Sequence, residues 1–350
     1  MSTFKFLGEP FVSRWMGRPL GSIQQSPGAL LPYEVDFSTL GDGVLPDRFT
    51  APNWAVSSGA AVGTPTGTSR LTNGDFESWS SPTDADNWIE TIAGGSTVNR
   101  DGVEQRSGTY CCRLDIDAGN NNAEINQIPT VALGGWLSTG WWLKSSAASG
   151  KSALILHKNQ YPENYAVYLT NSYQNFTQSS VKRLAAGFGV GVRKLSAASS
   201  SIYIDDVVTT EHNTSSLVAT VEAGASDVTV KAGWTLPGNP DSPLAGVIMN
   251  ADSATNPVNY VVFLVNGDRN NSYLFKIVGT TVTQVATTAI TYADGANVEL
   301  RKSGTTYQMY YNGAQVGANQ TISDSELVDN TIHGMFSTSA NSSCDYFFAE

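Results

Sequence analysis

Two acidic residues stand one position apart in "EVDFST", Glu34 and Asp36. A Glu-x-Asp-x-x-Glu pattern would supply the paired carboxylates that glycoside cleavage requires. Here the third acid is missing, with Ser38 and Thr39 where it should lie, so Asp36 reads as a turn residue or strand end. The histidines His157, His212 and His333 are far apart, with no His-x-x-x-His spacing and no Ser–His–Asp signature. Each reads as a surface or packing residue. "GFGVG" at 187–191 echoes a glycine-rich loop but has no helix after it, so it is no nucleotide fingerprint. Cys111, Cys112 and Cys344 form neither a disulfide framework nor a CxxC metal pair. What remains is aromatic. "GWLSTGWWLK" carries Trp136, Trp141 and Trp142, and Tyr161, Tyr165, Tyr168 and Tyr173 follow among Asn and Gln. Sugars stack their C–H faces on such rings, while their hydroxyls pair with amides and carboxylates. In a strand Trp141 and Trp142 face opposite ways, so one belongs to the core and the other to an outer face.

The elements that must position these rings are strands. The 350 residues are 41% apolar and only 15% charged, with 33 glycines and recurrent turn dipeptides. That composition predicts an all-β chain of about two domains. No long stretch keeps a helical period. "GTYCCRLDI" alternates, which sends Cys111 and Cys112 to opposite faces. "TTYQMYYNGAQVG" predicts two strands joined at Asn312-Gly313 by a primed turn. "DIDAGNNNAE" at 115–124 reads as a solvated hairpin tip. The net charge of −11 disfavours nucleic acid, and no segment approaches the ~18 apolar residues of a membrane span.

The order of the strands is unusual. Residues 33–66 start a β domain with too few strands to close a core. "LTNGDFESW" at 71–79 then begins afresh, with Asn-Gly as a turn signal, and a self-contained block runs to "YIDDV" at 203–207. Alternating strands resume at "SLVATVEAG". The reading is two β-sandwich (jelly-roll) domains, one inserted into the other, with an extended N-terminal arm. The arm is 1–32, the host 33–68 and 214–350, and the guest 69–213. The arm carries Phe4, Phe6, Phe11 and Trp15 and a net charge of +2, against −13 for the rest. A solvated tail seldom holds so many large apolar groups. It is read as docking onto an assembly, the rival being that it packs on its own domain.

The guest block resembles carbohydrate-binding modules of families four, nine and twenty-two. The resemblance is carried by "NGDFE" (73–77), Trp88, "GTYCCRLDI", Gln127 at the end of "AEINQI", "GWWLK" (140–144) and "YIDDV". The host pieces together resemble a concanavalin-like, laminin-G-like sandwich. The first resemblance implies a glycan-binding face and proposes Trp142, Trp136, Tyr110, Gln127 and Tyr168 for it. It also implies a structural Ca²⁺ tying the first guest strand to the last, with Asp75, Glu77, Asp205 and Asp206 as ligands. Ca²⁺ takes 6–8 oxygens, many of them carboxylate; the alternative is that these acids cap turns without a metal.

With no catalytic constellation and no signal-peptide pattern at its start, the chain is expected to be a non-enzymatic bacteriophage virion protein. It would be made in the host cytoplasm, be homo-oligomeric in the particle, contact other virion proteins through the arm and display a surface for cell-surface polysaccharide. The alternatives are a module of a secreted polysaccharide-degrading system and a purely architectural virion subunit.

Overall fold

Apolar residues at every second position bury one face of a strand, and two such faces must meet. The chain solves this twice. A computed structural model describes residues 30–350 apart from 117–123, 148–150, 159, 163, 183–188, 195–199, 239–240 and 268–269. Phe4, Phe6, Phe11 and Trp15 lie outside the described residues. From Leu31 to Glu350 the chain is one compact unit. Its regular structure is almost all strand, with two four-residue α-helices and one short 3-10 helix at Phe37–Thr39 among the described residues.

In the first sandwich, strands Gly43–Val44, Trp54–Ser57 and Ala60–Gly63 join Ser343–Ala349, Thr229–Thr235, Ala296–Ser303 and Thr306–Tyr311 in one sheet. Tyr33–Asp36 also pairs with the last strand, Tyr33 opposite Ala349 and Asp36 opposite Tyr346. Six strands between Val218 and Ser337 form the facing sheet. The core between them gathers Phe37, Trp54, Val56 and Ala61 with Trp234, Phe263, Met309 and Phe347. Residues before 64 thus share sheets and core with residues after 218. Asn312 (φ 47°) and Gly313 (φ 81°) make the expected primed turn.

The second sandwich lies between those segments in sequence. One sheet orders Gln160–Tyr161, Gln174–Lys182, Trp136–Ser145, Ser200–His212, Cys111–Ile116 and Thr97–Asp101. The other orders Tyr165–Leu169, Lys151–Lys158, Gly189–Lys194, Glu124–Gln127 and Ile89–Thr91. Trp141 is the core tryptophan, edge-on to Trp88, which stacks 4.8 Å from Phe76. Phe76 has φ +53°, a conformation costing on the order of 1 kcal/mol that its packing offsets. The chain enters and leaves side by side: Gly67 pairs with His212, and the Asn213 N–H donates to Thr66 O at 2.9 Å.

A third apolar cluster joins the sandwiches. Trp136 and Val181, from the outer face of the second sandwich's eight-stranded sheet, pack on Ile248, Tyr260, Phe275 and Phe336. A parallel pairing of Thr177–Gln178 with Asp241–Ser242 continues that joint.

His333 shows how tightly the first sandwich is closed. It is fully buried, its Nδ1 accepts from the Asn250 N–H at 3.1 Å, and its Nε2 faces Ala225 O at 2.9 Å. This arrangement needs the neutral ring protonated on Nε2, and burial lowers its pKa to about 4. An unfolded histidine titrates near ~6.5. The contribution to stability is therefore full above about pH 6.5 and is lost as the pH falls toward 4. Denaturant melts at pH 7 and pH 4 should show a loss of up to about 3 kcal/mol from this residue. His333→Gln should remove that share of the acid sensitivity. An identical acid loss in the variant would sink the assignment.

Candidate functional site

Each sheet of the second sandwich has an outer face, and among the described residues the packing contacts of the first sandwich fall on the eight-stranded one. Trp136, at the covered end of the eight-stranded sheet, is fully buried, and its Nε1 donates to Tyr260 Oη at 2.7 Å. It is a joint residue, not the glycan platform expected from the sequence. Trp142, on the same face, is half-buried. The Arg106 guanidinium lies 3.8 Å from its ring centroid and is itself held by Asp206, so that ring face is closed. Tyr110 is half-buried near the far edge of this sheet, under Arg100 at 4.5 Å. Gln127 is buried, its Oε1 accepting from Thr72 N at 2.9 Å and its Nε2 donating to Thr72 O at 2.8 Å. It clamps the guest's entry strand and cannot contact a ligand, which corrects the expectation for it. The five proposed residues are therefore not brought together.

The outer face of the five-stranded sheet is different. Ala153, Ile155, Val167, Val190, Val192 and Ile125 point into the core, so alternation turns Leu154, Lys158, Tyr168, Gly191, Arg193, Glu124 and Asn126 outward. Tyr168 is 78% exposed. Arg193 stands opposite both Leu154 and Glu124 across adjacent strands. Glu124, only 4% exposed, is gripped by Arg193 Nε at 3.0 Å and Nη2 at 2.5 Å, and by Lys158 Nζ at 2.9 Å. Burial alone would raise its pKa, but the hydrogen bonds and charges of Lys158 and Arg193 hold it below the usual carboxylate range. Asn126 Nδ2 donates to the same carboxylate at 3.2 Å. Gly191 keeps this row low, because a Cβ there would sit 2.7 Å from the Asn126 Cβ.

Glu124 thus fixes a guanidinium and an ammonium on side chains that are 35% and 41% exposed. Charge-assisted donors of this kind bind hydroxyls, carboxylates and sulfates strongly. Sequence reasoning placed Glu124 in a solvated hairpin tip and passed over Lys158 and Arg193. The available signal was the alternation of charged with apolar residues in "AEINQI" and "VGVRK", which marks an outward row.

The acids proposed for calcium hold a loop instead. Asp205, fully buried, accepts from Arg106 N (2.8 Å), Ser107 N (3.2 Å) and Asp206 N (2.8 Å). Burial pushes its carboxyl up to about 6 even against those donors. Glu77 accepts from Thr109 N at 2.7 Å and Tyr110 N at 2.9 Å, and Asp75 is exposed. Among the described residues no group of three or more His, Cys, Asp or Glu is placed to hold a metal ion. In this arrangement the four acids do not fit a Ca²⁺ cage, and three of them, Glu77, Asp205 and Asp206, cap residues 106–110.

Asp36 and Ser138 are likewise occupied. Asp36 Oδ1 accepts from Ser38 N at 3.0 Å and Ser38 Oγ at 2.6 Å, which makes it the turn residue expected. Ser138 Oγ lies 2.7 Å from His212 Nε2, but His212 Nδ1 has no hydrogen-bond partner among the described residues, so the third member of a triad is missing.

No family model and no curated protein matches the chain. Among solved structures it is similar to a CBM4 protein, with 19% identity over 40% of this chain and 99% of that one, TM-score 0.30. The tandem CBM22-1–CBM22-2 domain of Paenibacillus barcinonensis Xyn10C gives 8% identity over 82% and 99%, TM-score 0.33. The enzymatically active domain of bacteriophage CBA120 tailspike protein 4 gives 18% identity over 41% of this chain but only 21% of that one, TM-score 0.29. At such scores these likenesses carry no argument about function.

Proposed function

We propose that this chain is a non-enzymatic glycan-binding protein that works through the outer face of the five-stranded sheet, displayed on a bacteriophage particle. One observation carries the binding reading. On the outer face of the five-stranded guest sheet, a buried carboxylate fixes Arg193 and Lys158, and a solvent-exposed Tyr168 stands on the edge strand of the same face. A buried Glu costs stability unless it is paired, so the cluster is an expensive way to build a plain surface and a suitable way to hold donors rigid. Tyr168 supplies the stacking platform and the two cations supply the polar contacts. The virion setting rests on the sequence, through its aromatic, net-positive arm and its lack of a catalytic constellation.

The test is retention in gels containing bacterial capsular polysaccharides, lipopolysaccharide O-chains or plant β-glucans. At least one polymer should retard the protein. Tyr168→Ala and Arg193→Ala should each weaken that retention about tenfold or more, equivalent to roughly 1.4 kcal/mol, with unchanged melting temperature for Tyr168→Ala. If no polymer retards the chain while particles still incorporate it, the architectural alternative replaces this reading.

A further inference from the structure

Among the described residues, clefts open at the joint between the sandwiches, and two of them differ in character. The larger, about 760 Å³, contains Arg70 and Glu211, which already neutralise each other at 2.6 Å. The smaller, about 270 Å³, is built differently. From the second sandwich it takes Ser138, Asn175, Thr177 and Ser179, and from the first Thr338 and Asn341. Pro65 and Pro243 stiffen its walls. No Asp, Glu, Lys or Arg lines it. His212, its one titratable group, is kept neutral at physiological pH because burial lowers its pKa to about 4.

The polar groups fall into two tiers. At the back, hydroxyls are locked: Thr338 Oγ1 donates to Ser179 Oγ at 2.8 Å, and Ser138 Oγ meets His212 Nε2 at 2.7 Å. At the front, Asn175, Thr177 and Asn341 make no side-chain hydrogen bond among the described residues. Asn175 Oδ1 and Thr177 Oγ1 converge over Gly140, lying 3.6 Å and 3.9 Å from where a Cβ on that glycine would stand. Two free amides and a free hydroxyl, converging from two domains, offer donors and acceptors together. Vicinal hydroxyls on a pyranose ring present the same mixture. The volume lies near the lower end of the roughly 300–1,000 Å³ of ligand sites, which suits one ring rather than a chain. A charged sugar would be stripped of water with no counter-charge to meet it.

We propose that this cleft is a second ligand site, taking a single uncharged pyranose residue such as the terminal unit of a neutral glycan. It is distinct from the charged sheet face and needs both sandwiches to be complete. The trigger for its recognition is shape and hydroxyl pattern, not charge.

The test uses the full chain and ligand-observed NMR with methyl glucopyranoside, methyl galactopyranoside, methyl mannopyranoside and methyl N-acetylglucosaminide, together with glucuronate. At least one neutral glycoside should bind, and glucuronate should bind at least tenfold more weakly. Asn175→Ala and Asn341→Ala, each on a different sandwich, should each reduce neutral binding about tenfold while the melting temperature holds. The proposal is overturned if no neutral glycoside of the four binds, if glucuronate binds as well, or if both variants bind like the parent. The two readings fail separately: polymer retention with Tyr168 and Arg193 variants reports the sheet face, and monosaccharide binding with Asn175 and Asn341 variants reports the cleft.

Discussion

Trp136→Ala is expected to lower the stability of the chain by about 3–5 kcal/mol, the range for emptying a buried tryptophan site. The ring is fully buried, 4.7 Å from Phe336 and 6.1 Å from Phe275, and both are anchored in the other sandwich. A cavity there cannot collapse easily, because two rigid sheets stand on either side of it. The loss also strands the Tyr260 hydroxyl, which is buried and bonds the indole N–H at 2.7 Å. Trp136→Phe separates these effects. It keeps most of the ring and should cost far less, with the missing hydrogen bond accounting for about 1 kcal/mol. Urea titration followed by fluorescence measures both. The strongest sign would be two transitions in the alanine variant where the parent has one, since the joint holds the sandwiches as a unit. A loss below about 1 kcal/mol for the alanine variant would mean that the third apolar cluster does not hold them together. Polymer retention by the folded fraction should survive, because Trp136 is a joint residue rather than a platform.

The second large effect is expected at Gly74. A Cβ there would lie 2.0 Å from the carbonyl oxygen of Val207. The obstacle is backbone, and the Val207 N–H is bonded to Gly74 O at 2.8 Å, so neither strand can step aside without losing the other. Gly74→Ala should therefore destabilise by about 3 kcal/mol through forced displacement of the backbone. Gly41→Ala is the control, with no atom within 4 Å of the added carbon, and should stay within about 0.5 kcal/mol of the parent. Thermal melts of the two variants decide the matter, and equal behaviour would refute it. This glycine was read from the sequence as half of an Asn-Gly turn. In the structure Asn73 takes the left-handed conformation, at φ 52°, and is capped by its own bonds to Ser78. Gly74 does lie in that turn, closed by the Phe76 N–H to Asn73 O at 3.3 Å, and it is needed as well for the close approach to Val207, where the chain leaves the second sandwich.

That second role of Gly74 shows where sequence reasoning stops. Local patterns carried everything local. Alternation marked the strands, Asn312-Gly313 marked its hairpin, adjacent Trp141 and Trp142 had to part to opposite faces, and the short β start at 33–66 lacked partners of its own. Its partners lie at Ser343–Ala349, some 300 positions away. A period of two tells which residues share a face, because successive side chains alternate by geometry. It does not tell what covers that face. Trp136 and Trp142 share one outer face, yet the first is sealed by Phe336 and Tyr260 and the second by Arg106. Glu124 looked like one acid among several in a polar run, and only its meeting with Lys158 and Arg193, 34 and 69 positions on, makes it the centre of a charged row. The sequence by itself determined that this is an all-β chain, where its strands lie and how their faces alternate, since those follow from sterics within a few residues. Tertiary structure alone decided which faces stay open to a ligand, since that depends on surfaces contributed by distant segments that no local pattern encodes.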